Sequence, residues 1–296
     1  MITKNYNVTT RMFLSALFLI LLSAGFLTSC QTGDKRDPTM DGFLIKDRQT
    51  TAMMKDQKVW FSEIKTKDPT MASVLDSVAR QDWDGSISQA KIVLRSQPFN
   101  SLCFLVLATA WAGKNKWEKA RFFARKILQN RSDYVEAMNI LGLYKLTDAK
   151  TMADYRSAIA WFTKAFQGNS TEVASGLNLG YLYLDLGDHS KAEQVFSQAY
   201  KRCDRCSAGA LGLGIALSRM GQYQDARKKF EQVVKQNPES MTGWYQLALL
   251  TRNHEKNFEK STEYLKNILE NPNIQDTELL EKARIVWYAN RNSEVQ

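Results

Sequence analysis

Four cysteines, two histidines and a cluster of glycines are the residues here whose type and spacing could do chemistry. The tightest group is Cys203-Asp204-Arg205-Cys206. Two thiols at this spacing can close a short disulfide ring, and thiols in such pairs can have a depressed pKa. Lys201, Arg202 and Arg205 stand beside them and would favour a thiolate. A thioredoxin-type site, however, needs a βαβ setting, and no strand pattern surrounds residue 203. A structural disulfide is the favoured reading; inert thiols and thiol-redox chemistry are the alternatives. Cys103 lies in an apolar helical stretch and reads as a small buried residue. His189 and His254 fall near two different turns, and no carboxylate or cysteine pattern joins them. Neither metal binding nor acid–base catalysis is expected of them. Gly209, Gly212 and Gly214 follow no strand, so a phosphate loop lacks its context. No nucleophile–base pattern is visible. The chain is expected to be non-enzymatic, with no cofactor and no metal.

The elements around these residues repeat. Residues 207–240 form a window of 34. Gly214 and Ala226 are small, Gly221 breaks the first helix, and Tyr223 and Phe230 are bulky. Pro238 lacks a backbone donor and suits the exit turn. Two helices packed as a tight antiparallel pair need small side chains where their axes cross. Gly214 against Ala226 is the expected crossing, with Tyr223 and Phe230 as pegs. A step back of 34 residues maps Gly214 onto Gly180, Gly221 onto Gly187, Ala226 onto Ala192 and Phe230 onto Phe196 without a gap. Residues 101–134 fit with Ala108 and Ala120 as the small pair. Residues 135–172 fit with Gly142, Ala158 and four extra residues around 147–155. Weaker copies follow at 241–273 and precede at 67–100. The pattern resembles the tetratricopeptide repeat (TPR), whose period is 34 residues. That resemblance implies an all-α, right-handed superhelix of about six helix pairs over residues 67–274. Residues 275–296 would supply a capping helix with Leu279, Leu280, Ala283, Val286 and Trp287 inward and a polar outer face.

Residues 1–29 read as a secretory signal peptide. Lys4 and Arg11 precede the apolar run 12–27, and small residues precede a cut. The ending Leu27-Thr28-Ser29-Cys30 is similar to a bacterial lipobox, which implies lipidation of Cys30 by diacylglycerol and an acyl chain. Gln31 in place of Asp implies sorting to the outer membrane, on its periplasmic face. Removing residues 1–29 takes two cations and no acid, so the net charge falls from +9 to +7. Many cations sit on second helices of the repeats: Arg121, Arg125, Lys126, Arg227, Lys228 and Lys229. A solvated outer face is the favoured reading, with anionic lipid or cell-wall polymer as alternative partners. No nucleic acid is expected. Residues 30–66 make a polar tether and a partly apolar segment, and residues 43–64 are expected to dock on the first repeat.

In tetratricopeptide arrays the first helices line a concave face. The resemblance places Leu102, Leu105 and Thr109 there, then Asn139 and Leu143, then Leu177, Asn178, Tyr181 and Asp185. Leu211, Ile215 and Arg219 follow, and then Tyr245, Gln246, Leu249 and Arg252. Apolar floors with a few polar groups suit a protein or peptide segment. The carboxylate-clamp subtype needs Lys and Arg where this chain has Ala208 and Gly212, and is excluded. Six repeats behind a lipobox are similar to the type IV pilus pilotin family, which implies a scaffold that helps a secretin assemble. Lipoproteins of gliding motility and of outer-membrane barrel assembly are similar on the same features.

Overall fold

The computed structural model describes residues 62, 64–80, 82–147, 149–168, 173–272 and 277–294. Cys30, the signal-like run and nearly all of the 30–66 segment lie outside them. The described residues are helical, and no strand occurs among them. A 3₁₀ turn, Pro69–Met71, leads into α1 (Ala72–Ala79) and α2 (Trp83–Ser96). Then come α3 (Ser101–Gly113), α4 (Trp117–Asn130), α5 (Val135–Thr147) and α6 (Met152–Gly168). The series continues with α7 (Ala174–Asp185), α8 (His189–Arg202), α9 (Ser207–Arg219) and α10 (Tyr223–Gln236). It ends with α11 (Met241–Asn253), α12 (Phe258–Leu269) and α13 (Thr277–Glu294). The chain divides into two compact units. The first ends at Leu182 and takes in Arg202–Asp204; the second holds Tyr183–Lys201 and everything from Arg205.

Side-chain caps start several helices by satisfying backbone N–H groups that have no partner in the first turn. Asp82 accepts from Gly85 N at 2.9 Å, Asn100 from Cys103 N at 3.0 Å, and Asn257 from Lys260 N at 2.8 Å. Within a repeat the first helix stops at a residue in the left-handed region. That residue is Gly187 (φ 78°) or Gly221 (φ 79°), but Asn115 (φ 56°) and Lys256 (φ 56°) hold the equivalent places. The next N–H then reaches back five residues, from Lys116 to Trp111 O and from Gln222 to Leu217 O. These bonds close the helix end in the Schellman manner. Between repeats the chain instead exits through extended residues such as Gln97 (φ −126°), Arg131 (φ −140°) and Asn237 (φ −139°).

In the second unit the core is built of rings against glycines. Phe196 and Phe230 are fully buried. A Cβ on Gly212 would stand 2.3 Å from the Phe196 ring, and one on Gly214 would stand 2.6 Å from the Phe230 ring. The close approach at Gly214 is therefore to Phe230; Ala226, the expected partner, is buried but is not among its nearest neighbours. Tyr223 is no core peg. It is 36% exposed and stacks on His254, ring centroids 3.4 Å apart. Within the first unit Phe162 plays the same part over Gly142, at 2.4 Å. Ile64, at the end of the segment expected to dock, packs partly buried against the core of this unit.

In α13, Ala283 is buried with Ala248, Leu265 and Ile268, and Val286 and Trp287 pack against them. The outer face departs from the expected polar surface: Ile285 and Tyr288 are exposed there beside Glu281 and Arg284. One residue that periodicity does not mark holds the cap in place. Asn290 is fully buried; it accepts from Arg252 Nε at 2.8 Å and donates to Ser261 Oγ at 3.0 Å and Thr262 Oγ1 at 3.2 Å.

Candidate partner-binding surface

First helices contribute the residues named for the concave face, and the two units treat them differently. In the first unit Leu102, Leu143 and Leu177 are buried and belong to the core. Asn139 and Asn178 are also buried, and Asn178 Nδ2 donates to Asn139 Oδ1 at 2.9 Å. That bond ties α5 to α7. Leu177 and Asn178 are thus withdrawn from any surface. The reason is local: α5 and α7 are apolar nearly all round and are covered on both sides. Leu105, Thr109 and Tyr181 remain partly exposed. Burial raises the pKa of the Tyr181 phenol, so it stays protonated and can donate.

The second unit keeps an open strip. Along α9, Leu211 is buried, Ile215 is half-buried and Arg219 is exposed, each one turn beyond the last. Neighbouring α11 presents Tyr245, Gln246, Leu249 and Arg252, all half-buried. Tyr245 has its pKa raised by burial. Arg252 is partly engaged, with Nε on Asn290 and Nη1 on Asn253 Oδ1 at 3.2 Å. Arg219 has no acid partner among the described residues. Asp185, also of this unit, is exposed. Aromatic and aliphatic floor with Arg at the end is a composition that suits a peptide backbone and its side chains. At the positions that would bear a carboxylate clamp, Ala208 and Gly212 are buried.

Cys203 and Cys206 are both disulfide-bonded and nearly buried, at 5% and 4% exposure. Asp204 (φ 51°) and Arg205 (φ 62°) take left-handed conformations between them. No other described turn between repeats has that pair. Gln232 and Gln236 side chains donate to Arg205 O at 2.9 and 3.2 Å and fix the turn. Arg202 turns away from the sulfurs: its guanidinium lies 3.7 Å from the Phe166 ring centroid and donates to Phe166 O. Cys103 is buried against Met71, Sγ to Sδ 3.4 Å, and burial first, then the charge of Asp68, pushes its thiol up to about 12. It carries no nucleophilic thiolate near neutral pH. His254 is occupied by the Tyr223 ring, and no group of His, Cys, Asp and Glu that could hold a metal occurs among the described residues. No described helix is long and apolar enough to cross a membrane.

Residues 211–271 and 177–205 match models of the tetratricopeptide repeat. No curated protein matches the chain. Among solved structures, PilW, a type IV pilus biogenesis factor, aligns with TM-score 0.59 and 18% identity over 74% of this chain and 99% of its own. A tetratricopeptide repeat protein from Parabacteroides merdae aligns with TM-score 0.55 and 16% identity, covering 78% of this chain and 89% of its own. The thermophilic TPR protein TTC0263 of Thermus thermophilus aligns with TM-score 0.54 and 16% identity, covering 62% and 98%. Identity at this level speaks for the fold alone. The described residues fold as an all-helical array, and residues 177–205 and 211–271 are similar to tetratricopeptide repeats.

Proposed function

We propose that this protein is a non-enzymatic scaffold that holds a segment of a partner protein on the first helices of its second unit. One observation carries the reading: α9 is buried over residues 207–214 yet leaves Ile215 and Arg219 accessible, and neighbouring α11 leaves Tyr245, Gln246 and Leu249 accessible. Tyr and Arg are enriched where binding energy concentrates, and truncating one such residue often costs ~2 kcal/mol or more. Tetratricopeptide repeats serve as protein-binding modules, which agrees with this use.

Lipidation at Cys30, residence in the outer membrane facing the periplasm, and help in assembling an envelope machine of the type IV pilus kind complete the proposal. They rest on the N-terminal pattern read from the sequence. Gliding motility and barrel assembly are the other machines of the same class. A thiol-redox role is weaker, because both sulfurs are nearly buried and Arg202 is engaged elsewhere.

The test places a photo-reactive amino acid at Gln246 in growing cells. A discrete protein adduct is expected, and Arg219→Ala or Tyr245→Ala should remove it while circular dichroism and thermal unfolding stay near wild type. An adduct that survives both substitutions would move the binding surface elsewhere. Cys30→Ser should leave an unprocessed or mislocalised chain; normal processing and membrane residence of that variant would sink the lipid-anchor reading.

A further inference from the structure

The second helix of each repeat turns an outer row of side chains to solvent. In α2 the row reads Ser88, Lys91, Ile92 and Arg95; in α4 it reads Phe122, Arg125, Lys126 and Gln129. The spacing of three, four and seven keeps each row on one helix face. The one carboxylate in line with each row stands a turn before it, and Asp84, at the head of α2, is paired with Lys114. Lys91, Arg95 and Arg125 are exposed and form no ion pair among the described residues, although the charge of Arg125 does reach Glu118. Between these cations stand large apolar side chains with no cover. Ile92 is 51% exposed, Phe122 59%, and Phe99, in the turn that follows α2, 75%. The acid nearest the start of α4, Glu118, is already held by Tyr144 Oη at 2.6 Å and by Arg121 at 2.6 Å.

The second unit shows what a merely solvated row looks like. On α10, Lys228 pairs with Asp225 at 2.9 Å and Arg227 with Glu231 at 3.3 Å. The outer row of α12 carries Glu263, Lys266, Asn267 and Glu270, all exposed and none of them apolar. On α2 and α4, by contrast, the exposed Ile92 and Phe122 stand beside cations that form no ion pair among the described residues.

We infer that the outer face of α2 and α4 is a docking surface for an anionic lipid bilayer. Cations at such a surface gain about 1 kcal/mol each from acidic headgroups. Apolar side chains set singly among them can enter the boundary between headgroups and acyl chains. A folded protein partner would ask for a gathered apolar pocket. A fluid lipid layer adapts to scattered side chains. The position in the chain agrees. The apolar and polar stretches that precede residue 62 lead into this unit, and Ile64 packs on its core. The inference does not depend on a lipid at Cys30, because the rows and their exposure are independent of it.

The experiment reads the patch itself. In the full chain carrying Cys30→Ser, Ile92→Cys offers a single reactive thiol, since Cys103 is buried and Cys203 and Cys206 are bonded. An environment-sensitive fluorophore there is followed with vesicles of phosphatidylcholine alone and with added phosphatidylglycerol. A blue shift with the anionic vesicles, absent with neutral ones and lost at high salt, is expected. Reversing three cations in Lys91→Glu, Arg95→Glu, Arg125→Glu should cut the anionic response about 100-fold in lipid affinity, each charge counting for a factor of about five. A label that stays in water with anionic vesicles overturns the inference. So does a response unchanged by the triple reversal, or an equal response from a label at Ile285→Cys on the far unit.

Discussion

Repeat 101–134 in the first unit and repeat 207–240 in the second fill the same space in different ways. In the earlier repeat Leu102, Phe104, Val106 and Leu107 of α3 are buried, and α4 answers with Ala120, Ala124 and Ile127, all at zero exposure. In the later repeat α9 keeps Leu211, Leu213 and Leu217 buried but has Gly212 and Gly214 under rings, and α10 supplies Phe230 where α4 has Ala124, beside Ala226 and Val233. Interiors are packed to near-crystalline density, so total volume is conserved while its distribution is free.

Removing a peg is the harshest way to break this correspondence. Phe230→Ala should cost about 3–5 kcal/mol, because the fully buried ring packs on Gly214, which has no side chain to close the space it leaves. Chemical denaturation of the purified chain measures it. A loss below about 1 kcal/mol would mean that the later repeat does not depend on its second helix for volume. Filling the other side is milder. Gly214→Ala puts a methyl 2.6 Å from the Phe230 ring and 3.1 Å from Lys229 Cβ. Overpacking should cost about 1–3 kcal/mol, less up to ~1 kcal/mol regained from helix propensity. Combined with Phe230→Leu the penalty should shrink well below the sum, since the smaller side chain vacates the space. Additive behaviour would show that Gly214 is constrained by something other than the ring.

The helical spacing of small residues made the fold legible, because close helix approach leaves few alternatives to Gly and Ala. The periodicity also indicated α13. What stayed hidden depends on which face each residue meets. Tyr223 and Phe230 look alike as large apolar residues seven apart on one helix face, yet Tyr223 is the first residue of its helix and stacks on His254 at the end of the pair instead of entering the core. Leu177 and Asn178 hold positions that face ligands in other arrays, but here the mutual bond of Asn139 and Asn178 closes the surface. No spacing rule foretells two amides meeting from separate helices. Tyr245, Gln246 and Arg219 were named by the same register and do stay accessible. Asn290 was missed because one polar residue in a terminal helix carries no periodic signal. The left-handed pair at Asp204 and Arg205 was missed because, although Asp tolerates positive φ, Arg does not favour it and no glycine marks the turn.

The smallest expected effect concerns the turn inside each repeat, where both units need one left-handed residue. Nothing lies within 4 Å of a Cβ built at Gly221, so its side-chain cost is purely conformational. Gly221→Ala should therefore destabilise by about 1 kcal/mol, the left-handed penalty of an L-residue net of the unfolded-state entropy it saves. Lys256 already bears that penalty at φ 56°. Lys256→Gly should return less than about 1 kcal/mol, because relief of strain is partly offset by the added freedom of the unfolded chain. Asn115→Gly, in the first unit at the same φ, should return less still, since Asn tolerates this region and its Oδ1 accepts from Trp117 Nε1 at 2.8 Å. Urea midpoints at unchanged slope give the three values. The order Gly221→Ala below wild type, Asn115→Gly near it and Lys256→Gly above it follows from one backbone angle read at three repeats. A Lys256→Gly variant less stable than wild type would mean that the lysine side chain holds a stabilising position that outweighs its φ.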